Sequence, residues 1–492
     1  MNERGKEKLP NEKSLSKGGI YYLIYNVLNI AFPFITGIYV ARKLLPENIG
    51  AVAAAQNVAE YFVILAFLGI PTYGLREIAK VRNDPEERNK VFSELFIINF
   101  ISTVVFLIAY VIVILSVGKY RRELPIYIIA GLSVALNAFN ISWLYEGMEE
   151  FKFASVRNLF FKALCFVVLV VFVKGPKDYL RYAGITVFGT AGNYLINMAY
   201  APKFVRFTTQ GLNLKRHMRS IFFLVAVNLA IELYALMDVT MMNFMCGKEN
   251  IAYYKYGNSI QKILLQVVNT FTMILVPRIT FFFKENRKEE FNALVSKGLI
   301  LIVMLSVPMI VGIFFTSSFL IQELYGVQYQ HSATILKMLS VLLLISPIGY
   351  LLGSRMLLVT DHENRMIICV GIGAVINLMG NSLLIPRYQE FGAAIASIIS
   401  EIAVMVVYVQ FGKKYYQLIG VGRSAVKVVL AVTVMAGYLL LCAQLPLSPW
   451  TVLALQVIGA IAVYFGMLLL LKEEITLYYY RQVIGTVKQR LA

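Results

Sequence analysis

Fourteen apolar stretches of about 20 residues recur between Gly18 and Leu471, joined by connections no longer than about 20 residues. Wound as helices rising about 1.5 Å per residue, each is long enough to cross a hydrocarbon core roughly 30 Å thick. They centre near Ile30, Glu60, Val105, Leu136, Phe166, Leu195, Glu232, Gln266, Leu305, Ser346, Val375, Glu401, Val434 and Ala460, and are numbered spans 1 to 14 in that order. Composition agrees: 59% of the 492 residues are hydrophobic and 15% charged, too apolar a balance for a water-soluble domain. The expected class is an all-α polytopic membrane protein with no inserted soluble domain.

The first 17 residues are polar and basic, and the apolar run after them is too long for a signal-peptide core and lacks a small-residue cleavage site. It is expected to be an uncleaved first span. Cys165, Cys246, Cys369 and Cys442 lie within or at the end of apolar spans and form no CxxC pair. His217, His331 and His362 lie far apart in the sequence. Neither a disulfide framework nor a metal centre is expected.

A net charge of +18 raises the question of a nucleic-acid partner, and its distribution answers it. With the N-terminus in the cytoplasm, Lys and Arg favour the cytoplasmic side of the spans by roughly three to one. The excess is therefore a topology signal, placing the chain in the cytoplasmic membrane with both termini inside and no nucleic acid as partner.

Two stretches resemble each other. Glu47-Asn48-Ile49 leads through span 2 to Arg76-Glu77-Ile78, and Glu249-Asn250-Ile251 leads through span 8 to Arg278-Ile279-Thr280, at one constant offset. Leu132-Ser133-Val134 in span 4 and Leu339-Ser340-Val341 in span 10 repeat the six-span separation. Equal direction of equivalent spans implies a parallel repeat, with two six-helix bundles about a V-shaped central cleft. The expected organisation is a cytoplasmic segment 1–17, a first bundle 18–204, a linker 205–217, a second bundle 218–413, two added helices in 424–471 and a tail 472–492.

Polar residues inside spans are costly and mark candidate sites. Span 8 carries Lys255, Asn258, Lys262, Gln266 and Asn269 at spacings of three and four, which confines them to one stripe of a helix. Such a stripe should line a wet cleft; the alternative is hydrogen bonding between helices with no cavity. Span 7 places Asn228 and Glu232 on one face, with Asp238 about 120° away, as candidates for proton or sodium coupling or for structural pairing with lysine. At the repeat offset Glu60 falls opposite Lys262, so the two are expected to act as a gate. The pairs Asn137 and Asn140, Asn193 and Asn197, and Asn377 and Asn381 read as interhelical glue, and Glu401 as a further coupling candidate. Arg76, Arg278 and Arg355 stand at cytoplasmic span ends, either as snorkelling residues or as capture points. Acids are isolated and no nucleotide-binding loop occurs, so no enzymatic constellation is expected and energy must come from a gradient or the membrane potential.

Several segments together resemble a known family. They are Ala41-Arg42-Lys43-Leu44-Leu45-Pro46-Glu47-Asn48-Ile49-Gly50, Leu68-Gly69-Ile70-Pro71-Thr72-Tyr73-Gly74-Leu75-Arg76-Glu77-Ile78 and Trp143-Leu144-Tyr145-Glu146-Gly147-Met148-Glu149. Tyr234-Ala235-Leu236-Met237-Asp238, Tyr253-Tyr254 and Pro277-Arg278 extend the likeness. The chain resembles repeat-unit flippases of the polysaccharide transporter family, within the multidrug/oligosaccharidyl-lipid/polysaccharide exporter superfamily. The resemblance implies alternating-access transfer of an undecaprenyl-diphosphate-linked oligosaccharide, with Na+ or H+ as coupling ion, no other cofactor, membrane lipid around it and a polysaccharide polymerase as candidate partner. A diphosphate suits cationic donors, so Lys262, Lys255, Asn258 and Gln266 are the expected contacts, with Arg76 and Arg278 at the cytoplasmic entrance. The competing readings are a lipid-linked peptidoglycan precursor flippase, an ion-coupled drug or cation antiporter and, from another class, a membrane polymerase or ligase, which would need a sizeable outer loop.

Overall fold

The computed structural model describes residues 32–360, 362, 364–478 and 480, without the side chains of residues 191, 223–231 and 233. These residues contain no strand, and ten of their helices are long and apolar enough to cross a membrane. Every span centre read from the sequence lies in a helix except Ile30, which is outside the described residues. The protein is thus a multi-pass, all-helical membrane protein.

The helices are interrupted where tertiary contacts demand it. Span 2 runs Pro46–Phe67 and resumes as Ile70–Lys80, the joint formed by Leu68 and Gly69 at φ 50° and 70°. Span 3, Pro85–Ser116, starts on a proline and is capped by Asp84, whose carboxylate accepts the amides of Glu86 and Glu87. Span 4 runs Leu124–Leu136, tightens into a 3-10 turn at Asn137–Phe139 and resumes as Ser142–Gly147. Span 10 is divided into Gln330–Leu339, Leu342–Gly349, a π-turn at Tyr350–Ser354 and Arg355–Val359. Asn364–Gly412 is 49 residues long, and its backbone leaves helical geometry at Gln389 (φ 51°, ψ −127°), the boundary between spans 11 and 12. All four cysteines are free.

The chain forms two compact units, Met1–Asn243 and Phe244–Ala492. The sequence divides the repeats at the 205–217 linker, before span 7 (Lys215–Met245), whereas the contacts divide after most of it. The cause is a set of bonds to span 2. Asn57 Nδ2 donates to Leu236 O at 3.1 Å, Thr240 Oγ1 donates to Asn57 Oδ1 at 2.7 Å, and Tyr61 Oη meets Thr240 Oγ1 at 2.8 Å. By sequence span 7 opens the second repeat, and by packing it belongs to the first unit.

Internal geometry repeats from unit to unit. In the first, Asn89 Oδ1 accepts Arg206 N at 2.7 Å and Ser93 Oγ accepts Thr208 N at 2.9 Å, while that hydroxyl donates to Asn89 O at 2.7 Å. In the second, Asn292 Oδ1 accepts Gln417 N at 2.9 Å and Ser296 Oγ accepts Ile419 N at 2.9 Å, with the hydroxyl again donating to Asn292 O at 2.7 Å. An Asn-x-x-x-Ser pair on spans 3 and 9 thus clasps the loop that follows spans 6 and 12. The Leu-Ser-Val repeat behaves likewise: Ser133 Oγ donates to Ala130 O and Ser340 Oγ to Lys337 O, both at 2.6 Å.

Candidate functional site

Span 8 is the helix Lys248–Met273, continued by Val276–Lys284 beyond a joint that carries Pro277. One side is core: Tyr254, Gly257, Ile260, Gln261 and Val268 are buried. Gly257 is required there, because a Cβ would stand 2.8 Å from Ser332 O and 2.9 Å from Ile335 Cβ. The other side is the polar stripe. Lys262 and Gln266 are exposed, and Lys255, Asn258 and Asn269 half-buried. None of these five side chains bonds to another described residue. Interhelical glue would show itself as bonds from this stripe to a neighbour, and the described residues supply none. Two ammonium groups on an accessible face cannot rest against hydrocarbon without large cost, so this face suits water and a polar ligand.

Arg278 is exposed on the continuation helix. Sixteen residues and the joint separate it from Lys262, roughly 24 Å at helical rise, so one small headgroup cannot touch both. Arg76 is likewise exposed, on Ile70–Lys80 of the first unit.

The acids fall into different settings. Glu60 is exposed on span 2, and Glu232, itself exposed, is close enough to act on it electrostatically. Gln56, one turn away, donates to Thr186 Oγ1 at 2.7 Å and so ties span 2 to span 6. Asp238 is half-buried within electrostatic reach of Tyr61. The side chain of Asn228 lies outside the described residues. Glu401 accepts Ser346 Oγ at 2.9 Å, a bond between spans 10 and 12. Asn140 accepts Ser142 Oγ at 2.9 Å, Asn193 accepts Arg157 Nε at 3.1 Å, and Asn381 Nδ2 donates to Asn377 Oδ1 at 3.0 Å.

Two clusters escaped the sequence reading. Glu94, 1% exposed, accepts Arg216 Nη2 at 2.6 Å, Arg216 Nε at 2.8 Å and Asn213 N at 2.6 Å, and bonds His217 Nε2 at 2.7 Å. His217 Nδ1 continues to Tyr73 Oη at 2.8 Å, and Arg216 Nη1 reaches Glu87 at 2.7 Å. In the second unit Glu390, also 1% exposed, bonds His331 Nδ1 at 2.7 Å, beside Asn250 Nδ2 donating to Gln389 Oε1 at 2.9 Å. Arg216 and His217 had read only as a topology charge and a distant histidine, because their partner lies more than a hundred residues away in sequence.

Comparisons with known proteins match this architecture. A sequence profile described as "Polysaccharide biosynthesis protein" matches residues 15–283, more than half of the chain. A "Putative O-antigen transporter" of Escherichia coli (strain K12) is 21% identical over 405 residues, covering 82% of this chain and 97% of that protein. "Capsular polysaccharide biosynthesis protein CapF" of Staphylococcus aureus is 22% identical over 406 residues, covering 80% and 98%. Among solved structures, lipid II flippase MurJ in an inward closed conformation superposes with a TM-score of 0.72 at 16% identity, over 94% of this chain and 100% of that one. An inward-facing multidrug resistance MATE family transporter of the MOP superfamily gives 0.63 at 14%, over 81% and 97%. These two likenesses concern the fold. With more than half its length matched by the profile, the chain belongs to the polysaccharide biosynthesis protein family.

Proposed function

We propose that the protein flips undecaprenyl-diphosphate-linked oligosaccharide repeat units across the cytoplasmic membrane, both termini facing the cytoplasm, to supply polysaccharide biosynthesis. The observation that carries this reading is the accessible stripe of span 8, where Lys262 and Lys255 stand without protein counter-charges among the described residues, beside Asn258 and Gln266. A diphosphate leaving water needs charge-assisted donors, and a sugar needs amide donors and acceptors; the stripe offers both. The names of the O-antigen transporter and capsule relatives support the same cargo class. Glu60, Glu232 and Asp238 are the carboxylates available for ion coupling in the first unit, Glu401 in the second, and a polysaccharide polymerase is the partner such a cargo calls for.

Reconstitution tests it. A fluorescent undecaprenyl-diphosphate oligosaccharide in proteoliposomes should lose protection from an external reagent only when the protein is present, with a rate that responds to an imposed Na+ or H+ gradient. Extrusion of organic cations with no movement of that lipid would replace this reading by the antiporter one.

A further inference from the structure

The 3-10 turn Asn137–Phe139 follows 13 helical residues in a 24-residue segment, Leu124–Gly147, so span 4 breaks about halfway across the membrane. Spans 2, 3 and 6 all pack against this turn. On spans 3, 4 and 6, Asn99 Oδ1, Ser102 Oγ, Thr103 Oγ1, Asn197 Oδ1 and both ends of the Asn137 amide are buried without a hydrogen-bond partner among the described residues. Asn99, Asn137 and Asn197 are 1%, 0% and 0% exposed. Asn99, Ser102 and Thr103 are spaced i, i+3, i+4 and share one face of span 3. Asn99 Nδ2 donates to Asn137 O at 3.0 Å and Ala138 O at 3.3 Å, fixing its amide on the break, and Asn197 Nδ2 donates to Ser142 Oγ at 3.3 Å just beyond it.

The architecture alone does not need these groups. Carried to the second unit by the clasp on spans 3 and 9 and the Leu-Ser-Val repeat on spans 4 and 10, Asn99 corresponds to Ile302, Ser102 to Leu305, Thr103 to Ser306 and Asn137 to Leu344. There Ile302 is buried in hydrocarbon and the Ser306 hydroxyl is satisfied by Leu343 O at 2.6 Å. One unit closes this position with apolar packing, and the other lines it with oxygens from three spans.

We propose that the span 4 break of the first unit is a binding site for an alkali-metal cation, with Asn99, Ser102, Thr103, Asn137 and Asn197 as its oxygen donors. The donor set is neutral, and among the described residues no group of three His, Cys, Asp or Glu could hold a metal ion. A divalent ion would require carboxylates, whereas a singly charged hard cation is matched by amide and hydroxyl oxygens. Interrupted helices near the membrane midplane are where transporters place coupling ions, because irregular backbone at that depth persists only around a polar occupant or protein. Neither end of the Asn137 amide is bonded among the described residues, so the amide is free to turn its oxygen toward a cation and its nitrogen away.

The site is independent of the cargo, so it is tested without lipid-linked sugar, and its failure would leave the flippase reading untouched. The full chain in detergent is melted in NaCl, KCl or choline chloride at constant ionic strength. Na+ or K+, against choline, should raise Tm saturably by about 3 °C or more. Thr103→Val and Asn137→Leu should abolish that shift, and Thr103→Ser should keep it. The Thr103 pair decides the matter if Asn137→Leu does not fold. No saturable alkali response, or an undiminished one in Thr103→Val, would overturn the proposal and leave ordered water, or a cation held elsewhere, on the span 4 oxygens.

Discussion

Lys262 holds its charge on an accessible face and bonds to no other described residue, so removing the charge should cost function far more than stability. Lys262→Ala is expected to slow flipping about tenfold or more, the value of one charge-assisted bond, with Tm almost unchanged. Lys262→Arg should keep most of the rate. A melting loss of several degrees with flipping intact would show that the ammonium group is structural. Three- and four-residue spacing was enough to put this stripe on one face, because helical periodicity alone decides that. Asn99 and Asn137 show where such reading stops. Asn137, paired by spacing with Asn140, reads as interhelical glue and Asn99 is not singled out by any spacing, yet each has a buried amide oxygen with no partner among the described residues. Glu94 was hidden for the opposite reason: its partners Arg216 and His217 come from another helix, beyond any local pattern.

Among the elements, hydropathy located the spans well because about 20 apolar residues are a strong signal, but it gave no sign of their interruptions. The π-turn Tyr350–Ser354 is made by packing: it turns Gly353 onto span 12, where an added Cβ would collide with Tyr408 Cβ and come within 2.7 Å of its carbonyl carbon. Neighbouring backbone cannot yield as a side-chain tip can. Gly353→Ala should therefore lower Tm by several degrees or prevent folding. Gly371→Ala, where nothing lies within 4 Å of the new methyl, should leave it level or slightly raised by better helix propensity. Equal melting of the two variants would remove the steric argument for the π-turn.

For the whole molecule, matched tripeptides revealed the duplication, and the repeated clasp now gives it a geometric basis, since Asn89 and Ser93 do in one unit what Asn292 and Ser296 do in the other. The boundary of the first unit was not legible, because a repeat records ancestry while packing follows contacts. Span 7 is tied at its start by Arg216 and His217 to Glu94, and near its far end by Leu236 and Thr240 to Asn57. That double tether bears on how the polypeptide can be cut. Made as two separate pieces divided between Asn243 and Phe244, the first piece keeps its strut and should accumulate in the membrane when co-expressed with the second. Divided within 205–214, it loses span 7 and strands the Glu94 carboxylate in a buried place with no cation, and its yield should fall severalfold by immunoblot. The seam left by gene duplication is therefore the wrong place to open this chain, and the workable one lies about thirty residues further on.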